Sequence, residues 1–346
     1  MAHITDTRPS GRERVTIEDV AVAAGVSVAT VSRALRGLPN VAFSTRQHVA
    51  QVAESLSYRA DPAASRLATG RSRSIAVAVP MLNGWYFSQV MAGAEAVCAE
   101  AGYDMVVLGV SDATERRALL DNTTSIHRRV DGLVLVDIRL APGDLDTLDR
   151  HGLRVVTIGH STDRFPSVGI DDVAVGDLAT THLVGLGHRR IGLIGGQPED
   201  PHGFHVPNLR RQGYEQALAR VGVDIDPRLV VGGNFSVEGG RDAMAALLDG
   251  ADPPTAVFAM SDEMAFGALH ALRRRGRSAP HHMSIVGVDD HDLAVVLGLT
   301  TVRQDVADRG SRAMRLVIDQ LEGAAVGVAR HLGAVELVVR ETCAKP

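Results

Sequence analysis

The chain of 346 residues has no long apolar run, almost no cysteine and few aromatics, and each shortage closes off a class of function. No stretch approaches the ~18 uninterrupted apolar residues that read as a membrane helix, and no basic start leads into the apolar segment of a signal peptide. Cys98 and Cys343 make neither a disulfide framework nor a metal-ligand set, which fits a reducing cytoplasm. His202-x-x-His205 and His281-His282 lack a third ligand at telling spacing, so no metal and no cofactor are expected. Lys345 is the only lysine, a bias towards arginine that carries no function by itself. The signatures G-x-S-x-G, G-x-x-x-x-G-K-[ST], H-E-x-x-H and G-x-G-x-x-G are all missing, and no enzyme is expected.

The net charge of −5 hides an asymmetry. Residues 1–73 hold ten arginines against six carboxylates, whereas the remainder holds 26 basic and 35 acidic residues. A basic N-terminal module on an acidic body fits nucleic-acid binding confined to one end.

The stretch around which the chain is organised is residues 16–35, TIEDVAVAAGVSVATVSRAL. Ile17, Val20, Ala21 and Ala24 fall on one helical face, with Thr16 and Asp19 placed to cap its start. Gly25 suits the residue that must turn with positive φ, and Ser27 can cap a second helix over 28–35 whose Val31 points back at Ala21. A small residue, glycine four on and a β-branched residue six beyond that is the spacing of a DNA-binding helix-turn-helix. An ordinary surface helix pair is the plainer alternative for this stretch taken alone. A loop with Gly37 and Pro39 follows, then a third helix expected to open at Ser44 with Gln47 as its capping partner, its stripe Val49, Val52, Ala53 and Leu56 packing on the first two. Asp61, Pro62 and Gly70 frame a further helix too short to be stable alone, a candidate coupling element.

From Ser74 the pattern alternates. Apolar strands are expected at 75–79, 105–108, 133–136, 155–158, 191–194, 229–231, 256–259 and 285–288, with helices such as 88–101, 178–186, 210–221, 237–248 and 263–275 between them. This predicts parallel, doubly wound sheets, and their length calls for two similar α/β lobes with a ligand cleft beyond the strands' C-terminal ends.

In this order the motifs TIEDVAVAAGVSVATVSRAL, YRADPAASRLATGRSRSIAVAVP, HLVGLGHRRIGLIGG, PTAVFAMSDEMAFGAL, SIVGVDD and LTTVRQDV resemble the lactose/galactose-repressor (LacI/GalR) family of transcription regulators, from Val15 to Cys343. The resemblance implies a flexible tail over 1–14, a helix-turn-helix domain over 15–60, a hinge helix and linker over 61–73, and a periplasmic-binding-protein-like body over 74–343. The N-lobe is expected at about 74–172 and 304–331, and the C-lobe at about 173–303 and 332–343. It further implies a homodimer or larger on a near-palindromic double-stranded DNA operator of two half-sites, and repression of sugar-utilisation genes under a small-molecule effector, a sugar or sugar derivative. No long C-terminal heptad follows Arg340, in keeping with a dimer.

Family positions that face base edges fall on Val28, Ala29 and Arg33; apolar groups suit thymine methyls, and a guanidinium can take guanine as a bidentate pair. Ser27, Thr30, Ser32 and Asn40 suit phosphate, and Thr16 and Ala64 complete the expected DNA contacts. The family's minor-groove wedge falls on Leu67, with the small Ala63 and Ala64 letting two hinge helices meet. In the effector cleft the resemblance places Tyr86 and Phe87, with Trp85 either beside them or at a dimer surface. Arg210 is to fork onto effector oxygens, Asp289 to take hydroxyls and Phe235 to cover the ring, with His160 and Ser261 at strand ends. Asp262 is expected to cap the helix over 263–275, and Asp171-Asp172 adds a negative charge near the lobe crossover. The segment 195–208 is expected to be a long loop that can reach the ligand through Phe204.

Overall fold

A computed structural model describes residues 15–35, 37, 39–58, 72–121, 126–150, 152–196 and 205–346. The tail, the hinge with Ala63, Ala64 and Leu67, and the loop residues His202 and Phe204 lie outside the described residues. The chain divides into two compact units, the second beginning at Arg73.

In the first unit, α1 (Ile17–Ala24), α2 (Val28–Leu35) and α3 (Phe43–Ser55) enclose a small core of Val20, Ala21, Ala24, Val31, Ala34, Val49 and Ala53. Thr16 and Asp19 form a reciprocal capping box, and Gly25 ends α1 at φ 65°. Ser27 Oγ accepts from Thr30 N at 3.2 Å and so caps α2. The cap expected at Ser44 is not formed. The chain is already helical at Phe43, Ala42 stands at the cap position with no side-chain bond, and the Ser44 hydroxyl sits inside the first turn.

The second unit carries two six-stranded sheets. One comprises β1 (Ser74–Val79), β2 (Asp104–Gly109), β3 (Gly132–Val136), β4 (Arg154–Ile158), β5 (Ser167–Gly169) and β11 (Arg330–Leu332), in the order β11-β5-β4-β3-β1-β2 and all parallel. The other comprises β6 (Ile191–Gly195), β7 (Val230–Gly232), β8 (Ala256–Ala259), β9 (Ser284–Asp289), β10 (Thr300–Gln304) and β12 (Val335–Val338), in the order β12-β10-β9-β8-β6-β7. There β12 alone runs antiparallel, against β10. Strand β1 shows why such strands read as unbroken apolar runs: Ile75, Val77 and Val79 enter one core and Ala76 and Ala78 the other, because helices cover both faces.

Helices α4 (Trp85–Ala101) and α12 (Val306–Leu321) pack together on the first sheet, with α5 (Ala113–Asp121) and α6 (Pro142–Arg150) also in that lobe. Helices α7 (Asp172–Gly185) and α8 (Val206–Ala219) pair in the second lobe, as do α9 (Val237–Asp249) and α10 (Asp262–Arg274). The chain passes between lobes after β5, after β10 and between β11 and β12, where Gly333 N donates to Gly169 O at 2.8 Å.

Several boundaries differ from the sequence reading, three of them for a visible local reason. Helix α7 starts at Asp172 rather than 178, because Asp171 accepts from Val173 N and Ala174 N at 3.1 and 3.0 Å. Helix α8 starts at Val206, so the expected loop over 195–208 ends by His205. Leu229 belongs to a 3-10 turn, Pro227–Leu229, and strand β7 follows it.

Helices α7 and α8 cross closely through glycine. A Cβ on Gly176 would stand 2.0 Å from the Arg210 carbonyl oxygen, and one on Gly213 would stand 2.0 Å from that of Val173. Gly213→Ala is therefore expected to cost about 1–3 kcal/mol by forcing the helices apart, read as a lower urea midpoint at unchanged m-value.

Candidate functional site

The C-terminal ends of strands from both sheets converge on one cavity of about 70 Å³. From the first lobe Tyr86 and Phe87 follow β1, Asp137 follows β3, Gly159 follows β4, and α12 contributes Arg309. From the second come Arg210 of α8, Phe235, Ser261 after β8, Asp289 at the end of β9 and Gln304 at the end of β10. Asp172, at the start of α7, completes the junction. This is where a doubly wound sheet places its ligand, beside the strands at which the order reverses.

Arg210 is 5 % exposed, and its placement follows from its helix. Tyr214 OH, one turn on, donates to Ile191 O at 2.8 Å and pins α8 to the sheet. Arg210 Nε then donates to Asp172 Oδ1 at 2.9 Å, and Nη1 donates to the Met260 carbonyl. Burial works against the guanidinium charge, but Asp172 and then Asp289 hold its pKa above the ordinary arginine value.

Asp289 is also buried and accepts from Gln304 Nε2. Burial pushes its carboxyl up to about 6, with Arg210 the chief opposing influence. Asp137 is pushed up to about 6 as well, again by burial, with Arg309 opposing. Arg309 Nη1 donates to Tyr86 Oη at 3.3 Å, and the Arg309 charge and the Tyr86 hydroxyl both lower the Asp137 carboxyl against the effect of burial. Burial also raises the Glu263 carboxyl at the cavity wall.

The backbone is strained at the same place. Asp137, Phe235 and Asp289 hold φ of 50°, 49° and 123°. Non-glycine residues at such angles cost of order 1–3 kcal/mol each and collect at functional sites. Gly159, at φ 81°, faces Asp137 so closely that a Cβ there would lie 1.8 Å from Asp137 Oδ1.

Tyr86, Phe87, Arg210, Phe235, Ser261 and Asp289 are thus brought together, and His160 is not. Its ring stacks on His205 at 5.3 Å between centroids, bridging the lobes beside the cavity, and burial followed by His205 lowers its pKa. Trp85 does not line the cavity: it stacks on His291 of the other lobe at 4.6 Å. Asp262 does not cap α10. Ser261 does, accepting from Met264 N at 3.3 Å, while Asp262 is buried and accepts from Thr301 Oγ1 and His291 N. The sequence reading missed Asp137, Gln304 and Arg309 as cavity residues. Asp137 was within reach, since it ends an apolar strand as Asp289 does; Arg309 gave no signal, lying on a helix that the reading had not placed.

Residues 16–61 match the profile of the bacterial regulatory proteins of the lacI family, and residues 180–343 that of the periplasmic-binding-protein-like domain. The HTH-type transcriptional repressor CytR of Escherichia coli K12 is 36% identical over 332 residues, 94% of this chain and 95% of its own. The chain belongs to the LacI family. Among solved structures, the Lac repressor dimer bound to operator and the anti-inducer ONPF matches with a TM-score of 0.83 at 28% identity, over 96% of this chain and 100% of that one. A CelR–cellobiose complex, also a transcriptional regulator, matches with a TM-score of 0.70 at 30% identity, over 95% and 100%. Among the described residues no helix is long and apolar enough to cross a membrane.

As a LacI-family helix-turn-helix, the first unit turns Ser27, Val28, Ala29 and Arg33 outward, with Val28 40% exposed. Thr30 and Ser32 are half-buried on the flank of α2, and Thr30 Oγ1 lies 2.9 Å from Ser27 Oγ. Arg33 Nη2 donates to Pro39 O at 3.2 Å, so the guanidinium rests on the loop that carries the exposed Asn40. The Thr16 hydroxyl is engaged with Asp19 in the cap of α1.

Because Asp137's folded pKa of about 6 exceeds the ordinary 3.8, its stabilising contribution is complete below pH 3.8 and is lost as pH rises through about 6. Through this group the unliganded body should lose on the order of 1 kcal/mol between about pH 5 and pH 7.5. Asp137→Asn should remove that slope in urea denaturation. An equal slope in both proteins would show that Asp137 does not titrate in this range.

Proposed function

We propose that this LacI-family chain is a sequence-specific repressor of sugar-utilisation genes whose operator affinity is set by a sugar or sugar derivative bound between the lobes. The observation that carries the reading is the cavity itself. Buried acidic and guanidinium groups, Asp172, Asp289, Arg210 and Arg309, line it together with aromatic rings. Vicinal hydroxyls both donate and accept, so they can satisfy carboxylates and arginines together, while Tyr86, Phe87 and Phe235 cover the apolar face of a ring. Cellobiose in the CelR structure and operator DNA in the Lac repressor structure agree with this assignment.

On the DNA side, Val28 and Ala29 read thymine methyls and Arg33 reads guanine, with Ser27, Thr30, Ser32 and Asn40 at phosphates, Leu67 in the minor groove, and Thr16 and Ala64 as further DNA contacts. The protein works as a cytoplasmic, nucleoid-associated homodimer and is not an enzyme. The effector closes or reorients the lobes and shifts the N-lobes of the dimer, which unpairs the hinge segments if it is an inducer and pairs them if it is a corepressor. It acts only through its different affinity for the two arrangements.

A thermal-shift screen of the whole protein against monosaccharides and disaccharides tests the cleft. A ligand at about 100 times its Kd should add ~2.7 kcal/mol of stability, and Arg210→Ala or Asp289→Asn should abolish the gain. In fluorescence anisotropy with operator DNA, Arg33→Ala should cost ~1–3 kcal/mol and relax specificity at one base pair. Leu67→Ala should weaken operator binding and leave effector affinity unchanged; unaltered operator binding would remove the hinge from the account.

A further inference from the structure

Arg309 is a buried cation in the cavity that no carboxylate pairs with among the described residues. It is 5% exposed, Nη1 donates to Tyr86 Oη, and the guanidinium carbon lies 5.3 Å from the Tyr86 ring centroid. Its Nε and Nη2 are buried with no hydrogen-bond partner. These two N–H groups share one edge of the guanidinium plane and point the same way. That edge accepts both oxygens of a single carboxylate or similar group in a bidentate fork. Arg210, by contrast, spends Nε on Asp172 and Nη1 on the Met260 carbonyl, so one guanidinium of the cavity has a carboxylate in contact and the other has none among the described residues. Gln304 Oε1 is likewise buried and unpartnered, a lone acceptor, while its Nε2 is committed to Asp289.

An occupant that satisfies both groups supplies a paired acceptor to Arg309 and a hydroxyl donor to Gln304. A neutral diol would fill the fork but bring no counter-charge into contact with the guanidinium, which Asp137 and Asp289 influence only from beyond ion-pair distance, and a buried charge is costly unless it is paired. We propose that the effector is a sugar acid, a polyhydroxylated carboxylate whose two carboxylate oxygens accept from Arg309 Nε and Nη2. Its hydroxyls are left for Gln304 and the cavity carboxylates. Burial pushes the Asp137 and Asp289 carboxyls up to about 6, so they repel an anion less as pH falls below that value. The inference rests on reading the cavity as the effector site and goes further by assigning the ligand's charge.

The test uses the full-length protein with D-galacturonate, D-glucuronate and D-gluconate as probes against D-galactose and D-glucose, by calorimetry. At least one acid should bind about 10–100-fold more tightly than its neutral parent. Arg309→Met should remove most of that ratio, and Arg309→Lys, which keeps the charge without the fork, should retain part of it. A neutral parent binding as tightly as its acid, with Arg309→Met changing neither, overturns the sugar-acid assignment and leaves the sugar reading intact. Binding by none of the five overturns both.

Discussion

The buried ion pair of Arg210 with Asp172 is the interaction on which the body's geometry turns. Removing two charges from water costs several kcal/mol per ion after relaxation, and only close pairing with further hydrogen bonds offsets it. The fold supplies those conditions. Asp171 caps α7 and so fixes where its neighbour Asp172 stands, while glycines at 176 and 213 let α7 and α8 approach until the two side chains meet. Tyr214 ties α8 to strand β6, and the carbonyl of Met260 takes another of the guanidinium's donors. Breaking one member leaves the other charged and unpaired, so the helix crossing, the strand end and the cavity wall depend on one another.

The strained residues follow from the same demand. Asp137 and Asp289 must turn carboxylates inward immediately after apolar strands, and ordinary extended backbone does not do this. They sit at positive φ, and Gly159 gives way to Asp137 by having no side chain. Strain of this kind persists only when the surroundings over-determine it. Here the apolar cores of both lobes do so.

Much of this was legible in the sequence because two periodicities are hard to disguise. Thr16, Gly25, Ser27 and Val31 are each chosen by a local requirement, so the helix-turn-helix could be read without tertiary knowledge. The long apolar strands could be read because both of their faces are buried. Strands β5 and β11 have three residues each, too few to show a period, and β10 opens with the buried polar pair Thr300-Thr301. Arg210 and Asp289 were found through motifs and Tyr86 through the ligand end of β1. Arg309 was not, because an arginine on an amphipathic helix has the same sequence signature whether it faces solvent or a cavity. Asp172 was noticed as an added charge, but its partner comes from a helix that starts more than thirty residues later, and no local pattern encodes such a meeting.

How a ligand can move this molecule follows from which lobe owns which group. Tyr86, Asp137 and Arg309 belong to the first lobe, and Arg210, Phe235 and Asp289 to the second, so a ligand that touches both sets binds well only when the lobes are at one separation. Trp85 on His291 and His160 on His205 already join the lobes beside the cavity, which makes their relative position a property of the protein before any ligand arrives. Carrying such an equilibrium from 1:99 to 99:1 takes about 5.5 kcal/mol of differential affinity. Hydrogen bonds to charged groups contribute about 1.5–3 kcal/mol each, so a few of them made in one arrangement and lost in the other are enough. The buried charges that cost the fold its stability are thus the groups able to supply that difference.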